Sequence, residues 1–185
     1  MLPGSAVAPR RTSVSLDACN KCHAALALHG GPRNTVEYCV LCHNPVENDR
    51  TRRPAAAMPA QSIDLRTMIH KIHTGEELTY SYSVYGYGNV EHNYNEVRYP
   101  GDRRVCAQCH TEKSEQLPLA QGLLDVQDPR GLLNPVGPTA AACLSCHTTV
   151  YAASHALANT TRLGESCAAC HGANAGFSVS RVHAR

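Results

Sequence analysis

Regular hydrophobic patterning is sparse along this chain and concentrates in two places. From Asp64 to His73, the residues Leu65, Met68, Ile69 and Ile72 recur at helical spacing, which predicts a helix there. From Thr79 to Gly88, polar and apolar positions alternate with period two, which predicts a short hairpin or an extended ribbon. Between them, Asn44 to Ser62 is rich in arginine, proline and alanine and reads as an irregular belt. No stretch approaches the ~20 apolar residues of a membrane span, and Met1 to Arg11 lacks the apolar run of a signal peptide.

Composition sharpens the picture. The 185 residues include no tryptophan, one phenylalanine (Phe177) and only 5% aromatics, a poor supply for the core of a chain this long. Six of the eight tyrosines fall between Thr79 and Tyr99. Apolar bulk must come from something other than side chains.

The cysteines say what. All ten lie in five copies of Cys-x-x-Cys-His: Cys19, Cys22 and His23; Cys39, Cys42 and His43; Cys106, Cys109 and His110; Cys143, Cys146 and His147; Cys167, Cys170 and His171. Two thiols at this spacing can each form a thioether to one vinyl group of a haem, and the histidine that follows becomes the proximal ligand of its iron. Zinc is the competing reading of paired cysteines. With 11 histidines in the chain, one following all five pairs by chance has odds on the order of one in a million. Zinc sites also combine such pairs two at a time, and five is odd. A disulfide framework gives no reason for the histidines.

Five covalently bound haem c groups, one for every 37 residues, leave little room for long elements. The expected fold is a multihaem cytochrome c: short α-helices and irregular loops wrapped around five haems, with little β structure. Residues 1–17 form an N-terminal extension or linker and residues 18–185 a single pentahaem domain. Attachment of this kind happens outside the cytoplasm, so the protein is exported, and the sequence is either a mature product or a piece of a longer exported chain.

Six histidines lie outside the motifs: His29, His70, His73, His92, His155 and His183. The three methionines cannot supply five irons, so five bis-histidine haems with one histidine to spare is the economical solution, and His92 is the expected spare. His29 follows His23 too closely to reach the far face of the same haem and is assigned to a neighbour. His70 and His73, at i and i+3 on the predicted helix, project toward two different irons.

The formal charge of +2 counts polypeptide alone. Ten propionates and five ferric cores bring it to about −3 oxidised and about −8 reduced, which gives no support to nucleic-acid binding. Fourteen arginines against three lysines make Arg33, Arg52, Arg53, Arg103 and Arg104 candidates for propionate pairing.

Several stretches resemble the OmcA/MtrC family of outer-membrane multihaem cytochromes. They are Cys19 to His23 followed by Leu28-His29-Gly30-Gly31-Pro32-Arg33, Cys39 to His43 followed by Asn44-Pro45, Met68-Ile69-His70-Lys71-Ile72-His73, Val97-Arg98-Tyr99-Pro100-Gly101, and Cys167 to Gly172 with Val182-His183. The resemblance runs from about Arg10 onward. It implies closely spaced, bis-histidine haems at the cell surface, whereas attachment outside the cytoplasm alone allows either the periplasm or the outer face of the outer membrane. It also places His29, His70, His73, His155 and His183 as distal ligands. The family's members typically carry two such modules beside small β-barrel domains; this sequence has one module and neither barrel.

The functional expectation is an electron carrier rather than an enzyme, because a six-coordinate iron has no position for substrate. Its partners would be other cytochromes, with metal oxides, metal ions or flavins as acceptors. Two alternatives stand beside it: a subunit of a cytochrome filament, in which one protomer donates a distal histidine to the next, and a multihaem reductase, which needs an iron left open.

Overall fold

The computed structural model describes residues 11–184, so residues 1–10, most of the expected N-terminal extension, lie outside the described residues. Among the described residues, seven α-helices, none longer than ten residues, are joined by loops and single 3-10 turns. They are α1 (Leu16–Cys19), α2 (Val36–Cys42), α3 (Leu65–Thr74), α4 (Pro138–Cys143), α5 (Val150–Ala158), α6 (Ala168–His171) and α7 (Val179–Val182). Two antiparallel pairs supply the β structure: β1 (Ser83–Tyr85) with β2 (Glu91–Asn93), and β3 (Thr160–Thr161) with β4 (Gly164–Glu165). No helix among the described residues is long and apolar enough to cross a membrane.

The predicted helix is α3. Asp64 caps it by accepting a hydrogen bond from the Thr67 amide at 3.1 Å. It ends at Gly75, whose φ of +51° and contact with the Val97 carbonyl leave no room for a side chain. The predicted ribbon is the β1–β2 hairpin, and its first strand begins only at Ser83.

The belt and the hairpin are joined by a buried polar hub. Asp49 accepts hydrogen bonds from the amides of Gln61 (2.8 Å) and Tyr85 (3.0 Å) and pairs with Arg53 at 2.8 Å. The Arg53 guanidinium also donates to the carbonyls of Ser83 and Ala57 and lies 4.7 Å from the Tyr85 ring centre. Arg53 is therefore fully engaged and is not available to a propionate, contrary to the expectation from its residue type. Nearby, the Tyr82 hydroxyl donates to the Ser62 carbonyl at 2.9 Å, with both residues buried.

Among the described residues, the apolar core lies on the C-terminal side, where Val126, Val136, Ala140, Ala141 and Ala156 pack with Leu133 and Leu144. The short strand-like bridge Val126–Val136 brings this cluster under α4. At the other end, Ser13 and Val14 join the fold: Val14 bridges His110 and the Thr111 amide donates to the Ser13 carbonyl at 2.9 Å.

Candidate functional site

Each of the five motifs is one helical turn. The histidine amide donates to the carbonyl of the first cysteine: His23 to Cys19 at 3.0 Å, and His43 to Cys39, His110 to Cys106, His147 to Cys143 and His171 to Cys167 at 2.9 Å. A single turn puts residues i, i+3 and i+4 on one side, so both thiols and the imidazole face the same way. Local capping starts these turns. Ser15 and Thr35, each four residues before a first cysteine, cap α1 and α2. For α4 the cap comes from a distance, with Glu165 accepting from the Thr139 amide (2.8 Å) and the Ala140 amide (2.7 Å). Gly137 leaves room for this cap, since a Cβ there would fall 2.4 Å from the Glu165 carboxyl carbon and displace it.

Every motif histidine faces one histidine from outside the motifs. At site 1, His23 faces His73; at site 2, His43 faces His29; at site 3, His110 faces His70; at site 4, His147 faces His183; at site 5, His171 faces His155. Ring centres are 6.0–6.1 Å apart in all five pairs, while the interplanar angles run 66°, 26°, 17°, 44° and 85°. His92 belongs to none of these pairs. It sits in β2 opposite Val84 and lies over Gly86.

Rings that attract one another directly prefer particular tilts at a given separation. Constant separation with free tilt is what a shared central atom gives. Two imidazole nitrogens bound to one metal at about 2.0 Å each, with about 1.1 Å from each nitrogen to its ring centre, come to about 6.2 Å. The donor set therefore fits an iron between each pair, with two thiols beside it. All ten cysteines are free of disulfides. Surface area fits as well: the chain exposes 12174 Å², against about 8,700 Å² for a compact monomer of this length. Large apolar side chains such as Leu28, Leu41, Tyr151 and Phe177 lie open near the motifs, where flat apolar groups would cover them.

One histidine of each pair is held by a hydrogen bond on its other nitrogen. Nδ1 of His73 meets the Ile69 carbonyl (2.9 Å), His43 that of Ile63 (2.9 Å), His183 that of Val179 (2.8 Å) and His171 that of Phe177 (2.9 Å). At site 3 the partner is instead the Ser114 hydroxyl, 3.2 Å from His110 Nδ1. These bonds aim Nε2 into the gap and raise its basicity. Burial pushes the pKa of His43, His73, His110 and His147 down, and that of His70 down to about 4, with His110 adding to the effect. All are neutral at pH 7, the form that binds a metal. The Tyr99 ring stands edge-on to His73 at 5.6 Å and its hydroxyl donates to Gln108 Oε1. Neither Tyr99 nor Ser114 carries a signal in the sequence that would single it out for this task.

The sites are stitched to one another. His29 follows the first motif and serves the second; α3 serves site 3 with His70 and site 1 with His73. His155 follows the fourth motif and serves the fifth, while His183 follows the fifth and serves the fourth. The Thr74 hydroxyl at the end of α3 reaches Cys146 Sγ at 3.2 Å. The thiols neighbour one another accordingly. Burial raises the Cys19 pKa, and Cys109 and Cys39 raise it further; Cys106 feels Cys146, and Cys143, pushed up to about 11 chiefly by burial, feels Cys167. Neighbouring sites thus follow the order 2, 1, 3, 4, 5.

Among the arginine candidates, Arg103 pairs with Glu77 and Arg104 with Asp102, Arg33 donates to the His29 carbonyl, and Arg52 is exposed.

The crystal structure of the outer membrane decaheme cytochrome OmcA is similar to this fold, with a TM-score of 0.57 and 28% sequence identity over 95% of this chain. The chain spans about a quarter of that protein, 24% of its length. No curated protein sequence matches. Residues 11–184 match the family described as outer membrane cytochrome MtrC/MtrF-like, domains II/IV. With the match covering nearly the whole chain, this protein belongs to that family of haem-carrying outer membrane cytochromes.

Proposed function

We propose that this protein conducts electrons through five bis-histidine c-type haems. The carrying observation is the set of five histidine pairs at one separation and five different tilts. Cys19, Cys22, Cys39, Cys42, Cys106, Cys109, Cys143, Cys146, Cys167 and Cys170 would hold the haems as thioethers. His23, His43, His110, His147 and His171 would be proximal ligands, and His29, His70, His73, His155 and His183 distal ones.

Bound haem supplies an iron that alternates between ferric and ferrous states. The chain's own contribution would be two imidazoles for each iron, which would leave no place for substrate and would favour outer-sphere transfer over catalysis. Its short helical turns fix the thiols, and its carbonyls fix the imidazoles. Exchanging distal histidines between neighbouring sites holds those sites close, in the order 2, 1, 3, 4, 5. Because all ten imidazoles come from one chain, no histidine from a second protomer is needed, which favours a self-contained conduit over the filament reading.

Family membership supports an exported protein at the outer membrane working with other cytochromes; metal oxides, metal ions and flavins are the acceptor classes we propose. The test is absorption and EPR spectroscopy of the purified holoprotein, with carbon monoxide added to the reduced form. Five low-spin haems and no carbon monoxide shift are expected. A high-spin or carbon monoxide-reactive haem would leave an iron open and return the reductase reading.

A further inference from the structure

Site 3, the middle of the five, is built differently from the others. In sites 1, 2, 4 and 5 one histidine gives its Nδ1–H to a backbone carbonyl. In site 3 neither does. His70 Nδ1 is shut away from solvent without a hydrogen-bond partner, since the Arg66 carbonyl one turn back faces it but falls short of bonding geometry. The residue as a whole is only partly buried, with its ring near-parallel to that of His110. The other imidazole, His110, depends on Ser114.

Ser114 is itself held. Its hydroxyl donates to the Ser13 carbonyl at 2.7 Å, which leaves a lone pair for His110 Nδ1–H at 3.2 Å. The Ser13 carbonyl also accepts from the Thr111 amide, and the Thr111 hydroxyl donates to Thr12. Residues 12–14 thus form a strap over the third motif, and a relay runs from His110 through Ser114 to that strap. A hydroxyl polarised by donating to a carbonyl is a better acceptor than a free one.

Acceptor strength at Nδ1 sets how much electron density the imidazole gives its metal, and so how strongly the ferric state is favoured. Building on the ligation proposed above, we infer that Ser114 is a positioning residue that sets the reduction potential of site 3, acting through His110 and held in place by the strap at Ser13. Site 3 joins the pair of sites 2 and 1 to the pair 4 and 5, so its potential decides whether electrons pass the middle of the array or rest there. Glu115, whose Oε2 is buried without a partner, adds a negative charge felt at Cys106 and His110. That charge is common to the native protein and a Ser114 variant and cancels between them.

The experiment is potentiometric titration of the holoprotein followed by EPR, comparing the native chain with Ser114→Ala and Ser114→Thr. In Ser114→Ala, one of five transitions moves to higher potential while all five haems stay low-spin, and Ser114→Thr, which keeps the hydroxyl, restores it. Five low-spin haems with all transitions unmoved in Ser114→Ala overturn the inference and leave the ligation intact. A native protein lacking five low-spin haems fails the ligation reading instead. A shift in Ser114→Thr as large as in Ser114→Ala would mean disturbed packing rather than a lost acceptor, and would also overturn it.

Discussion

His29 lies opposite His43 with ring centres 6.1 Å apart, although it follows His23 by only six residues. The loop after the first motif therefore reaches across to the second. His29 has φ of +59° and is followed by Gly30 at φ +101°, and this pair of left-handed residues turns the chain away from its own motif.

Replacing His29 by alanine removes one imidazole from site 2 and touches no other pair. We expect one haem in five to become high-spin and to bind carbon monoxide when reduced, with four unchanged. A carbon monoxide-reactive fraction of zero in His29→Ala would sink the pairing.

The Asp49–Arg53 pair is buried and saturated with hydrogen bonds, so removing one partner leaves the other charge enclosed. Asp49→Ala should lower stability by about 3–5 kcal/mol. Guanidinium unfolding of the holoprotein measures this, and the double variant Asp49→Ala with Arg53→Met should recover part of the loss. Equal destabilisation in the single and double variants would mean that the charge is not what matters.

Gly75 ends α3 where an added Cβ would stand 2.0 Å from the Val97 carbonyl oxygen, at a φ that side chains disfavour. Gly75→Ala must push residues 97–99 outward and take the Tyr99 ring off His73. The expected outcome is a changed ferric spectrum at site 1 together with a loss of about 1–3 kcal/mol. A native spectrum in Gly75→Ala would show that Tyr99 does not orient His73.

Local order was legible where it is local in origin. The α3 helix announced itself by the apolar spacing of Leu65, Met68, Ile69 and Ile72, whereas its Asp64 cap and the helical turn of each motif emerged only from the structure. The hairpin was legible as a ribbon, with its strands shorter than the alternation suggested. Which histidine faces which was not, because His155 and His183 are exchanged between sites 4 and 5 by the path of α5 and the C-terminal turn. The carbonyls of Ile63 and Phe177 could not be read either, since every residue has a carbonyl. Arg53 misled because residue type cannot tell a free guanidinium from one already held by Asp49.

Acid should destabilise the fold in a defined window. Burial holds His70 at about 4, below the usual 6.5 of an unfolded chain, so between those values the unfolded state binds the additional proton. The stability is present in full above pH 6.5 and is lost as pH falls toward 4. Ligation has the same sign, because only neutral imidazole binds iron. Guanidinium midpoints measured from pH 8 to pH 4 should stay level and then fall below pH 6.5; a midpoint that rises on acidification contradicts the assignment.

The tilts of the histidine pairs predict which site gives which EPR signal. Near-parallel imidazoles split the iron d orbitals unequally and give a resolved rhombic ferric signal, whereas perpendicular ones bring two orbitals together and give a single feature at large g. Site 3, at 17°, should be rhombic and site 5, at 85°, should show the large-g feature. His70→Ala should therefore remove a rhombic component, and His155→Ala should remove large-g intensity. If His155→Ala instead depletes a rhombic signal, His155 and His171 do not hold the perpendicular arrangement around a shared iron.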